Sequence, residues 1–204
     1  SDGINVICGE NAQGKTNFLE AVSYISCMRS YKASTKKELI RFGAKNAQLD
    51  ADIFSRKRIF ASQVTLSQMG APRIFVNGVK IKRNFEFAGL LKSVLFSPDD
   101  LLLIKGGPQE RRKFLDIAIS QLRPRYLGFL SEYHKLLDHK NRILKDSEEK
   151  PSLLETLDDF SFQMIRAGAE IIRYRAAFVQ LLSPEAEKMH KGASSSRENL
   201  TVSY

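Results

Sequence analysis

The chain of 204 residues has no run of about 18 apolar residues, the length a membrane-spanning helix needs. Its two cysteines, Cys8 and Cys27, are too few for a disulfide framework or a cysteine zinc site. They suit a reducing compartment, so a cytoplasmic protein with no membrane partner is expected. His134, His139 and His190 are scattered. His134 and His139 miss the i, i+4 spacing that sets two imidazoles on one helix face, so no metal or acid–base cluster follows from them. There is no internal repeat and no low-complexity run. No basic stretch followed by an apolar one opens the chain, so no signal peptide is read there. The first residue is Ser1 rather than methionine, and Asn199–Tyr204 reads as a strand cut short, so a fragment is expected.

What is present is an ordinary globular balance, with 43% apolar and 27% charged residues, enough for one domain and part of a second. The net charge is +9, and one segment carries the imbalance. Residues 29–113 hold 18 basic and 7 acidic side chains, whereas residues 114–204 hold 13 of each. A concentrated excess is the footprint of a polyanion partner, or else a solvated basic face with no partner.

Hydrophobic patterning gives the elements. Ile4–Cys8 is a short apolar run between glycines and reads as a buried strand. Phe18, Leu19, Val22 and Ile25 keep a helical spacing over residues 15–28. Gln48–Phe54 and Ile59–Ser67 read as strands joined through Ser55-Arg56-Lys57-Arg58. Arg73–Val76 and Val79–Lys82 flank Asn77-Gly78, a strong two-residue hairpin signal. An antiparallel meander is therefore expected between about residues 45 and 83, and Leu90–Phe96 is a further strand candidate. Pro98 and Pro108 stand where helices can start. Two longer helical stripes follow, one over Leu127–Leu144 and one after Pro151, and they predict an antiparallel helical hairpin.

One motif carries chemistry. Gly9-Glu10-Asn11-Ala12-Gln13-Gly14-Lys15-Thr16 matches G-x-x-x-x-G-K-[ST] in full, between a strand-like run and a helix-like one. Glycines permit a loop whose N–H groups turn around phosphate, and the following helix points its positive end at the anion. Lys15 would reach the β- and γ-phosphates of a nucleoside triphosphate, and the Thr16 hydroxyl would ligate magnesium. Asn17 follows directly. Hydrolysis needs an apolar strand ending in an acid. The nearest run, Ser93–Phe96, is followed by Ser97-Pro98 before Asp99-Asp100, a poor match. No Leu-Ser-Gly-Gly-Gln-like signature occurs, so no catalytic residue is identifiable in this stretch.

The loop with Asn17 and Leu19-Glu20-Ala21 resembles the Walker A region of the RecF family, bacterial recombination-mediator ATPases of the ABC/SMC-like class. Two further blocks are similar to that family: Leu95–Leu101 with Ile104-Lys105-Gly106, Pro108 and Arg111–Asp116; then Tyr174-Arg175, Leu182–Ala186, His190, Glu198–Leu200 and Tyr204. The chain departs from the family at Arg29-Ser30-Tyr31-Lys32, where a Ser-His-Arg sequence is common. It also stops before the family's signature and Walker B motifs.

The resemblance implies an α/β fold: a P-loop ABC/SMC-like ATPase head, a mixed sheet with the antiparallel meander, plus a helical lobe. The expected divisions are 1–96 for the core, 97–190 for the lobe with its hairpin at about 124–182, and 191–204 for the return to the core. It further implies an ATP-dependent homodimer that clamps gapped, junction or single-stranded DNA. Such a protein would help load RecA together with RecR and RecO in recombinational repair, replication-fork maintenance and the SOS response. The full-length protein would be a slow, DNA-stimulated ATPase with ATP and magnesium as cofactors. Asp99 and Asp100 stand where the family's Q-loop could sense magnesium, or they simply form a helix-start acid pair. The candidate DNA contacts are Lys36, Lys37, Arg56, Lys57, Arg58, Lys80, Lys82 and Arg83, at expected turns where side chains reach phosphates. The alternatives are another SMC-like DNA-repair ATPase, a P-loop small-molecule kinase, or a DNA-binding module whose P-loop is vestigial.

Overall fold

A computed structural model describes residues 3–33 and 35–204. The chain divides into two units. One runs to Gly107 and takes in Ser120–Leu122; the other comprises Pro108–Ile119 and Arg123–Tyr204. The sequence reading puts the first boundary at 96 and returns residues 191–204 to the core. The structure instead groups 97–107 with the first unit. It keeps the closing residues with the second, where Val202 packs on that unit's apolar cluster.

In the first unit, α1 (Lys15–Cys27) follows the glycine-bearing loop and ends at Met28, whose N–H bonds to the Tyr24 carbonyl at 2.8 Å. Strands β1 (Asn46–Ser55), β2 (Arg58–Ser67), β3 (Arg73–Val76) and β4 (Val79–Lys80) form an antiparallel meander in that order. Alternation along the strands gives the sheet two unlike faces. One face buries Ile53, Ser62, Val64, Leu66 and Ile74. The other leaves Phe54, Ile59, Asp50, Asp52 and Gln63 exposed. The Asn77-Gly78 turn has φ of 50° and 77°, the left-handed pair that a two-residue hairpin needs. The Asn77 Oδ1 also accepts the Ala61 N–H at 2.9 Å.

Two expected strands do not form. Ile4–Cys8 and Leu90–Phe96 enter no ladder among the described residues. Ile4, Val6, Val94 and Phe96 are all more than three-quarters exposed. An apolar run signals burial, but a strand also needs a hydrogen-bonding neighbour, and the meander offers these runs none. The sheet is therefore purely antiparallel among the described residues. The second run is nonetheless tied down. The Ser93 N–H donates to the Gln121 Oε1 at 2.8 Å, and the Ser93 and Ser26 hydroxyls share a 2.7 Å bond. Gly89 has φ +75°, and a Cβ there would lie 2.2 Å from the Gln121 carbonyl oxygen, so only glycine fits. A short helix, α2 (Leu102–Lys105), closes the unit.

The second unit is helical. It is built on α3 (Pro108–Leu122) as far as Ile119, α4 (Pro124–Asp146) and α5 (Leu157–Ala193). Tyr126 packs edge-on against Tyr174, and His139 stacks on Phe160, so α4 and α5 run antiparallel as the stripes predict. Helix α5 continues past the expected limit of 182, through Pro184. That proline is exposed, so the carbonyl it leaves unpaired can be hydrated. Leu115, Ile119, Tyr126, Leu130, Ile171 and Val179 form the core.

Candidate functional site

The candidate site is the loop between Gly9 and α1. Gly14 caps the helix at φ +86°, a conformation that costs an L side chain but not glycine. Ala12 also has positive φ, at 64°, while Gln13 does not. This alternation turns successive N–H groups toward one side, the arrangement of an anion-binding nest. The first backbone bond into α1 runs from the Phe18 N–H to the Gly14 carbonyl, at 2.9 Å. The N–H groups of Lys15, Thr16 and Asn17 therefore point out of the helix end without helical acceptors, and no side chain caps them. Phosphate oxygens are well suited to that seat.

Lys15 lies across the loop. Its Nζ donates to the Gly9 carbonyl at 2.6 Å and to the Glu10 carbonyl at 2.5 Å, tying the helix start to the loop start. One cation thus holds the loop closed while standing beside the helix N-terminus. Glu10, Asn11, Ala12, Gln13, Thr16 and Asn17 are exposed and accessible to a ligand.

Glu20, one turn further along α1, organises the next loop. Its Oε1 accepts the Ser30 hydroxyl and the Ala33 N–H, and the Ser30 Oγ accepts the Lys32 and Ala33 N–H groups. Partial burial, with the carboxylates of Glu20 and Asp99 nearby, raises the Tyr31 phenol above its ordinary pKa of 10.0. No local pattern signals this clamp, because Glu20 meets residues ten and more positions away.

Of the two acids considered for magnesium, Asp100 accepts the Ser97 N–H at 2.5 Å, as a helix-start acid does. Asp99 is exposed. Among the described residues no group of three or more His, Cys, Asp or Glu side chains is placed to hold a metal. Among the described residues no helix is long and apolar enough to cross a membrane.

All eight candidate DNA contacts are exposed. Arg56 and Lys57 form the β1–β2 turn and Arg58 opens β2. Lys80 ends β4, with Lys82 and Arg83 just beyond. The Arg83 guanidinium lies 5.8 Å from the Phe85 ring centre. Lys36 and Lys37 open a 3-10 turn, and the Lys36 Nζ reaches the Gly70 carbonyl at 3.5 Å. The structure thus clusters Arg56, Lys57 and Arg58 and distributes the others along neighbouring turns.

A P-loop feeding a helix, an antiparallel meander and a helical-hairpin lobe together define an α/β ATPase head with a helical lobe. No family model matches the chain. Among curated proteins it is similar to the DNA replication and repair protein RecF of Agathobacter rectalis, 39% identical over 200 residues, covering 98% of this chain and 55% of that protein. It is also similar to RecF of Lachnospira eligens, 35% identical over 206 residues and covering 57% of that protein. RecF of Bacillus cereus is 37% identical over 204 residues, with 54% of it covered. Among solved structures, the recombination mediator protein RecF with ATP superimposes with a TM-score of 0.79 at 33% identity, over 91% of this chain and 50% of that one. The RecF–ATPrS structure gives a TM-score of 0.76 at 32% identity, over 92% and 51%. The chain is similar to RecF over nearly its whole length, and it spans about half the length of the curated relatives it matches.

Proposed function

We propose that this chain supplies the nucleotide-binding part of an ATP-gated DNA clamp acting in recombinational repair and at replication forks. The observation that carries the reading is the loop itself. It has left-handed Ala12 and Gly14, three outward N–H groups at the start of α1, and Lys15 drawn across the opening. That donor set suits the phosphates of ATP, and the RecF relationship favours ATP over other polyphosphates. Bound magnesium would neutralise phosphate charge. The chain's own contribution there is the Thr16 hydroxyl; of Asp99 and Asp100, Asp100 is the one tied to the Ser97 N–H.

Loop amides orient the phosphates and Lys15 balances their charge. The Glu20 clamp holds the loop after α1 in one shape. The basic turns contact DNA phosphates. Closing two protomers around DNA on ATP, and opening them on slow hydrolysis, gives a timing device rather than a motor. RecR and RecO are the proposed partners and RecA loading the proposed outcome. A small-molecule kinase is the weaker reading, because no acceptor-site motif accompanies the loop.

Equilibrium binding of a fluorescent ATP analogue to the intact protein with magnesium tests this. Lys15→Met should weaken binding at least tenfold while the fold is retained. Equal affinity of variant and wild type would contradict the site.

A further inference from the structure

The β1–β2 hairpin is built against its own conformational preference. Arg56 and Lys57 occupy its two-residue turn with φ of 51° and 61°. Asn-Gly suits that geometry, and the β3–β4 turn of the same sheet uses Asn77-Gly78 for it. Arg and Lys are poor occupants of the left-handed region. Two cations are therefore kept at a tip that would fold more readily without them, the kind of local misfit that marks function. Among the described residues, Arg56, Lys57 and Arg58 make no ion pair.

Behind the tip, Phe54 and Ile59 face each other across the ladder on the open face of the sheet. Phe54 is 74% exposed and Ile59 66%. Further along the same face stand Asp52, opposite Ala61, and Asp50, opposite Gln63. Strand geometry sets these acids about 7 and 13 Å from Phe54. The face thus runs from cations through an exposed apolar pair, one of them aromatic, to carboxylates. A phosphate chain is attracted to the tip and repelled beyond it, while a flat apolar group fits between.

We infer that this hairpin probes DNA for unpaired bases, with Arg56, Lys57 and Arg58 on phosphates and the Phe54–Ile59 pair against a base freed at a gap or junction. The inference deepens the DNA-binding reading above and rests on it. Base–aromatic stacking is available only where a base has left the duplex, so the element distinguishes a gapped from a continuous duplex without reading sequence. The acids confine the strand to the tip and leave room for about one base.

The test is fluorescence anisotropy of the intact protein over a salt series, with gapped and fully paired duplexes of equal length. Phe54→Thr keeps a strand-forming side chain. It should weaken binding to gapped DNA about tenfold, leave paired DNA unchanged and keep the salt slope. Ile59→Thr should do the same to a smaller extent. Arg56→Asn with Lys57→Gly should weaken both DNAs and lower the salt slope by about two. If Phe54→Thr and Ile59→Thr leave the gapped-over-paired preference intact, the inference is overturned, and a change in oligomer mass in those variants would then assign the face to a protein. If wild-type protein binds neither DNA, the DNA-binding reading falls first.

Discussion

Arg175 on α5 donates through Nη2 to the Asp116 Oδ1 on α3 at 2.8 Å, with both side chains nearly buried. The same guanidinium donates through Nε to the Tyr126 hydroxyl at 3.0 Å, and Tyr126 in turn donates to Asp116. Burial opposes the Arg175 charge, but the bonds to Asp116 and Tyr126 outweigh it and hold the guanidinium protonated. Three helices of the lobe are thus joined at one polar point inside an apolar cluster. Removing one partner leaves a buried charge uncompensated. Asp116→Ala should cost about 3–5 kcal/mol, read by urea denaturation. Tyr126→Phe should cost only about 1 kcal/mol, since it removes one hydroxyl and leaves the ion pair. A loss below about 1 kcal/mol for Asp116→Ala would contradict the buried pair.

Gly89 gives a second stability test. Its positive φ and its approach to the Gln121 backbone exclude a side chain. Gly89→Ala must both strain the residue and push backbone atoms apart, so a loss of about 2–4 kcal/mol is expected in thermal or chemical unfolding. At Gly78, which has nothing within 4 Å of a Cβ, alanine carries only the cost of the left-handed backbone. It should destabilise by about 1 kcal/mol.

The strained turn makes an opposite prediction. Replacing Arg56-Lys57 by Asn-Gly restores the residues that its geometry favours. Unfolding free energy should rise by about 1 kcal/mol even as DNA affinity falls. A destabilised variant would contradict the assignment of strain to this turn.

Stability should fall at alkaline pH. Burial, with a smaller contribution from Cys27, raises the Tyr24 phenol from 10.0 to about 12. A phenol whose pKa is higher in the folded state favours folding while it stays protonated. That contribution is complete below about pH 10 and is lost as pH rises toward 12. The loss is on the order of 3 kcal/mol. The wild-type stability curve should drop more steeply than that of Tyr24→Phe between these pH values, and parallel curves would contradict it.

How much of this was legible in the sequence depends on the range of the interaction. The P-loop and α1 follow from residues within eight positions of one another, and their geometry agrees with the spacing of Gly9, Gly14, Lys15 and Thr16. The hairpins were legible because Asn77-Gly78 names its own turn and because polar and apolar residues alternate over 46–53 in β1 and 63–67 in β2. Ile4–Cys8 and Leu90–Phe96 were misread as strands, since hydrophobicity reports a wish for burial and says nothing of a pairing partner. The Glu20 clamp, the Gly89–Gln121 approach and the Asp116–Tyr126–Arg175 knot join residues 10 to 59 positions apart. No local pattern encodes such meetings. The strain at Arg56-Lys57 became visible only with the backbone angles.

The most direct test is the coupling of nucleotide to DNA. Anisotropy of a labelled gapped duplex should be titrated with the intact protein, with and without ATP–magnesium, beside Lys15→Met. An ATP-gated clamp predicts that ATP tightens binding at least tenfold and that Lys15→Met abolishes this gain while keeping the nucleotide-free affinity. Binding that ignores both the nucleotide and the substitution would contradict the clamp and leave the loop in search of another substrate.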